Sequence, residues 1–267
     1  MMTILNITFA DKIKYYGNCF LPISAGAQNV NIQNDNTGDN ISEKNPRYGE
    51  LTAVYWAWKN LKDVDIIGMS HYRRYLMTRS FGMVKTHYDI TWKDFLALNY
   101  TPKKFETDLK RYDFVVSKKW HFKGLTVEKQ YLEHHPFPED LQLLRSILSE
   151  LHPESVPIYD EYLNQSDTYT CCLFVTSWKQ FDNLCSWMFP VLFELEKRLD
   201  FSKYDVYQQR MIAFLYERLL NVYFKVGNYR MKEYPFYFID NSCTKTIVRQ
   251  NMGAIAWTIV QKFRPQN

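Results

Sequence analysis

The sequence predicts an α/β fold: a mainly parallel central sheet flanked by helices, with a helical C-terminal part. Three observations predict it. Short apolar runs of strand length recur at Thr3–Phe9, Phe20–Ile23, Asp65–Ser70, Asp113–Ser117 and Thr170–Thr176. Stretches of helical period lie between them, the pattern of a sheet covered on both faces. Polar clusters follow the second and third runs, where a parallel sheet presents the carboxyl edge at which ligands bind.

The first run ends in the polar turn Ala10-Asp11-Lys12, and the second passes into Ser24-Ala25-Gly26-Ala27. Asn29–Asn45, rich in Asn, Asp and Gly, reads as a long loop, and long loops inside compact domains tend to carry function. Arg47–Leu61 follows as a helix, with Leu51, Val54, Tyr55, Trp58 and Leu61 on one face and Pro46 near its start. After the third strand come helices at Lys103–Lys110 and Trp92–Leu98, then a mostly helical stretch from Val127 to Leu151 broken at His134–Pro138. Phe181–Leu199 and Asp205–Val226 read as amphipathic helices, and Thr244–Phe263 as a basic, half-apolar one. Residues 1–240 are expected to form one domain, with 241–267 as a C-terminal amphipathic basic helix. No internal repeat or low-complexity tract is present.

The 267 residues are enough for one large α/β domain with a substantial core. Aromatic residues make up 17%, an excess that suits sugar rings as well as cores. A formal charge of +4 is too small to indicate a nucleic-acid binder, though it suits an anionic nucleotide ligand. The five cysteines show no metal spacing, which favours reduced thiols and a cytoplasmic location, if need be peripheral at the inner membrane face. No signal peptide and no membrane-spanning stretch is read from the sequence.

Three clusters carry chemistry. Asp39, Asn40, Ser42 and Asn45, followed by Glu50 and Tyr55, offer donors and acceptors to sugar or ribose hydroxyls beside a helix start. Ser42 or Asn45 serving as a helix cap is the plainer alternative. His71, Arg73 and Arg74 stand at a strand end, where paired guanidinium groups can grip a diphosphate; surface ion pairs and stacking on the flanking tyrosines are the plainer alternative. A third group, Asp205, Gln209, Arg210, Glu217 and Arg218, lies on and before a late helix; Asp205 has the position of an N-cap and the chemistry of a general base. Asp63-Val64-Asp65 has the Asp-x-Asp spacing of a metal site but begins its strand, at the edge opposite His71. His134 and His135 point apart and make a weak metal pair. No metal ligand is assigned, although manganese or magnesium is compatible with the chemistry. Hydrolase, triphosphatase and zinc-module motifs are missing.

The strings LPISAGA, TGDNISEKNPRYGELTAVYWAWKN, IIGMSHYRRYL, WMFPVLFELEKRLD and YDVYQQRMIAFLYERLLNVYF resemble the bacterial capsular-polysaccharide glycosyltransferases catalogued as domain of unknown function 4422. The resemblance runs from about Leu21 to Pro235 and departs at Thr8–Lys12 and at Thr170-Cys171-Cys172. It implies a GT-A-like fold and a soluble enzyme of capsule, exopolysaccharide or O-antigen synthesis. The implied reaction moves galactofuranose or galactose from a UDP donor, with inversion, to a glycan or lipid-linked oligosaccharide. By position it implies donor binding by Asp39, Asn40, Ser42, Asn45, Glu50, His71, Arg73 and Arg74. Tyr55, Gln209, Arg210, Glu217 and Arg218 would contact donor or acceptor, and Asp205 would be the base. The alternative is a non-catalytic carbohydrate-binding or scaffold protein of the same machinery, which needs no base.

Overall fold

The computed structural model describes residues 1–8, 17, 19–27, 31–78 and 83–262, with side chains up to residue 256. Phe9–Lys12, Asn29 and Val30, part of the expected first strand and loop, fall outside the described residues.

β1 (Met2–Thr8) runs through the middle of a ten-stranded sheet. It pairs in parallel with β2 (Phe20–Ser24) on one side and β4 (Ile66–His71) on the other, and β3 (Gln33–Asn34) continues beyond β2. On the far side, β10 (Phe174–Ser177) pairs antiparallel with both β4 and β7 (Phe114–Ser117), and β11 (Met231–Tyr234) closes that edge parallel to β7. A branch leaves the carboxyl end of β4. There β5 (Arg74–Leu76) folds back, pairs antiparallel with β12 (Phe236–Ile239), and β12 pairs in parallel with β6 (His87–Ile90). β8 (Trp120–His121) and β9 (Asp167–Thr168) form a separate ribbon.

Alternation along each strand divides the core into two layers. Leu5, Ile7, Phe114, Val116 and Phe174 enter one, while Ile4, Val115 and Val175 enter the other. The first layer is covered by α1 (Asn45–Tyr48), α2 (Leu51–Asn60), α8 (Trp178–Arg198) and α9 (Met211–Val226). Outside them pack α5 (Val127–His134), α6 (Pro138–Leu151) and α7 (Val156–Asn164). The second layer is closed by the β5–β12–β6 branch and by α3 (Trp92–Ala97) and α4 (Lys104–Asp108), through Phe95 and Phe105.

Three expected elements are altered, each for a local reason. The helix expected over Arg47–Leu61 is broken into α1 and α2 at Gly49, whose φ of 55° suits glycine and leaves the helical region. The strand expected over Thr170–Thr176 begins only at Phe174, because Cys171 and Cys172 take left-handed φ values of 66° and 50°. The helix expected from Asp205 starts as a 3-10 turn over Gln208–Arg210 and becomes α-helical at Met211. α10 (Ile247–Lys262) lies within the expected C-terminal helix. Gln250 bonds the backbone N–H and C=O of Asp89, and the Tyr88 hydroxyl donates to Asn251, so polar residues of α10 face β6. Val248, Met252 and Ile255 point outward, 68%, 64% and 44% exposed.

Candidate active site at the carboxyl edge of the sheet

The site starts where β4 ends. His71 is buried and its Nε2 lies 3.1 Å from the carbonyl of Cys171; a carbonyl only accepts, so Nε2 carries the proton. Burial, reinforced by the Arg74 charge and opposed by that carbonyl, lowers its pKa to about 3, leaving a neutral imidazole at physiological pH. His71 pairs across the β4–β5 turn with Arg74, whose carbonyl accepts from the Ser70 hydroxyl at 2.6 Å. The neighbouring arginines diverge. Arg73 is exposed and lies over the rings of Tyr72 and Phe238, at 5.1 and 5.3 Å. Arg74 is half-buried, and its charge acts on His71, His87, Glu50 and Cys171.

The turn before β10 forms the next wall. Two successive non-glycine residues in the left-handed region cost on the order of 1–3 kcal/mol each. The Cys171 N–H donates to Glu217 Oε1 at 2.7 Å, while the Cys171 carbonyl accepts from His71, so both sides of the strained residue are held. Glu217 also accepts from Arg218 at 3.1 Å, and Arg218 donates to Gln130 behind it. Burial pushes both thiols above their ordinary values.

Glu50 and Arg210 complete the cluster. Glu50 sits at the N-cap of α2, and its carbonyl accepts from the N–H groups of Ala53 and Val54, at 3.1 and 3.3 Å. A Cβ added to the preceding Gly49 would lie 3.5 Å from both Arg210 Nη2 and Ala213 Cβ, so Arg210 rests against this backbone. Burial raises the Glu50 carboxyl pKa, opposed by its own backbone N–H and by the charges of Arg210 and Arg74. Among the described residues, no other side chain bonds the Glu50 carboxylate, and neither Arg74 nor Arg210 has a hydrogen bond or ion pair through its guanidinium. The Glu50 carboxylate thus feels both cations without an ion pair to either.

The Asn-rich loop is tied up in its own construction. Asp35, which sequence reasoning passed over, is fully buried and accepts from the N–H groups of Gly26 and Ala27 and from the Ser42 hydroxyl, at 3.0, 3.1 and 2.5 Å. The Ser42 N–H is capped by Asn40 Oδ1 at 3.2 Å. Asn45 donates to the Gly49 carbonyl at 2.8 Å and packs against Gly26, where an added Cβ would clash at 2.7 Å. Asp39 accepts from Tyr55 OH at 3.1 Å and is bracketed by Asn60 at the far end of α2. Tyr55 itself packs edge-on against Phe189 of α8.

Asp205 is exposed, and its carboxylate accepts from the Gln208 N–H at 2.7 Å while Gln208 Oε1 accepts from the Asp205 N–H, a reciprocal cap. Gln209 is half-buried, its N–H bonded to the Asp205 carbonyl. The fold therefore gathers Glu50, His71, Arg74, Arg210 and Glu217, with Arg218 behind. Asp39, Asn40 and Tyr55 belong to the outer side of α2, and Ser42 and Asn45 to the loop's framework. Asp63 and Asp65 lie before β4, at the edge opposite His71. His135 stacks on Tyr207 at 5.6 Å, whereas His134 bonds the Gln130 carbonyl. No group of three His, Cys, Asp or Glu among the described residues converges as a metal site.

The sequence profile of the domain of unknown function 4422 matches residues 4–228, and the chain belongs to that family. Among solved structures it is similar to the apo structure of WbbM, described as a bifunctional glycosyltransferase, with a TM-score of 0.81 and 26% identity. The match covers 90% of this chain and 45% of that one, so this chain spans less than half of that protein's length. No curated protein matches the chain. No helix among the described residues is long and apolar enough to cross a membrane.

Proposed function

We propose that the chain is a glycosyltransferase with a GT-A-like fold that moves a sugar from a nucleoside-diphosphate donor to a hydroxyl of a glycan or lipid-linked oligosaccharide. The observation that carries this is the pair of unpaired guanidinium groups, Arg74 and Arg210, facing Glu50 at the carboxyl edge of the sheet. Guanidinium groups without a hydrogen bond or ion pair to the described residues match the oxygens of a diphosphate, and in a half-buried site they stabilise its charge as it departs. Neutral His71, with Nε2–H fixed on Cys171, keeps a third positive charge out of the site and holds the wall against which the donor lies. The family and the fold likeness support transfer of a sugar. UDP-galactose, in pyranose or furanose form, is the leading donor, inversion the expected outcome, and capsule, exopolysaccharide or O-antigen the setting. Asp39, Asn40, Ser42 and Asn45 serve the donor indirectly, by fixing the loop that delivers Glu50.

Residues 241–267 are proposed as an appendage making peripheral contact with an anionic membrane, since Val248, Met252 and Ile255 share one outward face with exposed Lys245 and Arg249 nearby.

The test is turnover of a panel of nucleotide-sugars with glycan acceptors, paired with calorimetry of nucleoside diphosphates. Release of UDP that depends on acceptor supports the reading. Saturable sugar binding with no turnover of any donor supports the scaffold alternative instead.

A further inference from the structure

We infer that Glu50 is the catalytic base that takes the acceptor hydroxyl's proton, a role that rests on the glycosyltransferase reading above. A base needs a carboxylate lone pair free to meet the substrate, and the nearby carboxylates differ in this respect. Glu217 is bonded to the Cys171 N–H and to Arg218. Asp35 is saturated by two backbone N–H groups and a hydroxyl. Asp205 is bonded to the Gln208 N–H and lies exposed on its turn, where water competes for it. Glu50 alone among these accepts no hydrogen bond from another residue within the described residues.

Its mounting is rigid. The left-handed Gly49 and the first turn of α2 fix its backbone on either side, and Asn45 locks the Gly49 carbonyl. The groups that face it are Arg74 from β5, Arg210 from the turn before α9, Cys171 and Cys172 from the turn before β10, and Tyr216 from α9. Burial holds the two thiols and the phenol in their neutral forms at physiological pH, so the arginines are the charges Glu50 meets. Burial also brings the carboxyl's pKa up towards the range in which a base works best.

The step balances within this cluster. The acceptor oxygen bonds to the anomeric carbon as its proton passes to Glu50. The bond from that carbon to the diphosphate oxygen breaks, and its electron pair leaves on the diphosphate, opposite Arg74 and Arg210. The products are the glycoside, the nucleoside diphosphate and protonated Glu50, which returns its proton to water.

The test compares the full chain with Glu50→Gln and Asp205→Asn. Glu50→Gln removes a carboxylate that burial disfavours, so it is expected to melt at the same temperature or higher and to bind UDP within about threefold of the parent. Its turnover is expected to fall about a hundredfold or more, with loss of the acid limb of the kcat/KM profile. Asp205→Asn, which still caps, is expected to keep turnover within about threefold. Glu50→Asp, a conservative control, is expected to fold and retain an acid limb at reduced turnover. Near-parental turnover in Glu50→Gln, an unchanged acid limb, or a hundredfold loss confined to Asp205→Asn overturns the assignment. A parent chain that binds UDP but turns over no donor overturns the glycosyltransferase reading itself, and this role with it.

Discussion

The buried knot at Asp35 separates a structural from a ligand-binding role for the Asn-rich loop. Asp35 is 0% and Ser42 8% exposed, and the hydroxyl-to-carboxylate bond between them is 2.5 Å. A hydrogen bond to a charged group contributes about 1.5–3 kcal/mol, and Ser42→Ala removes one such bond while leaving Ala27 N–H on the same oxygen. A loss of about 2 kcal/mol is therefore expected for Ser42→Ala. Asp35→Ala strands the N–H groups of Gly26 and Ala27 together with the Ser42 hydroxyl, and its expected loss is about 4 kcal/mol or more, the three bonds not being fully additive. For a chain near this size each kcal/mol moves Tm by roughly 2–4 °C, giving about 4–8 °C for Ser42→Ala and at least twice that for Asp35→Ala. The assay is thermal unfolding of both variants and the double variant, beside calorimetry with UDP. The cycle should show strong coupling, because Ser42→Ala costs little once Asp35 is gone. A Ser42→Ala protein with parental Tm and a tenfold loss of UDP affinity would refute the structural role and return Ser42 to the donor site.

The remaining predictions test charge and surface. Arg74→Ala and Arg210→Ala should each weaken UDP binding by about 1.5–3 kcal/mol by calorimetry, while exposed Arg73→Ala should cost under about 1 kcal/mol; equal losses at Arg73 and Arg74 would contradict their divergence. His71 and His135 have pKa values lowered to about 3 and about 4, chiefly by burial, so the unfolded chain takes up protons below pH 6.5 that the folded chain refuses. Stability is then lost as pH falls from 6.5 toward 4, by up to about 1.4 kcal/mol per pH unit for each histidine. The raised carboxyls of Glu50 and Asp140 act in the opposite sense, so the check compares urea unfolding of His135→Phe with the parent at pH 7 and pH 5 and expects the variant to lose less. Flotation with anionic liposomes should be lost on replacing Val248, Met252 and Ile255 by Ser; equal flotation places any membrane contact elsewhere.

The central strands and the His71–Arg74 edge are legible in the sequence because they depend on local pattern. Ile4, Leu5 and Ile7 have apolar partners on both faces, and such strands read as continuous apolar runs. β11 is different: Met231–Tyr234 is polar and half-exposed at a sheet edge, so no apolar run announces it. Cys171-Cys172 misleads for a related reason. An apolar pair inside TCCLFVT satisfies the strand pattern, and only the bonds to Glu217 and from His71 show why the backbone turns there. Within the site, the residue types around Glu50 were visible but their grouping was not. Glu50 and Arg210 meet because α1 packs against the 3-10 turn before α9, a contact between distant parts of the chain that no spacing encodes. Asp205 shows the converse. Its cap is local and was legible, yet a carboxylate at a helix start looks the same in sequence whether it caps or catalyses.

The cluster carries costs that folding alone does not recover. Cys171 and Cys172 hold strained backbone, and Glu50 is desolvated without a paired cation although Arg74 and Arg210 stand nearby. Had stability been the only demand on these positions, a direct Glu50–arginine ion pair would relieve much of this, since buried charge is costly chiefly when unpaired. The cations are instead held off the carboxylate, which keeps both free for a ligand: the arginines for an anion, Glu50 for a proton. A diphosphate entering between the arginines supplies the missing negative charge, and at a hundredfold excess over its dissociation constant it adds about 2.7 kcal/mol of stability. The same binding brings negative charge towards Glu50 and raises its proton affinity further. The acid limb of kcat, which reports the bound complex, should therefore lie at higher pH than the acid limb of kcat/KM, which reports the free enzyme. Coincident limbs would mean that the diphosphate does not sit beside Glu50.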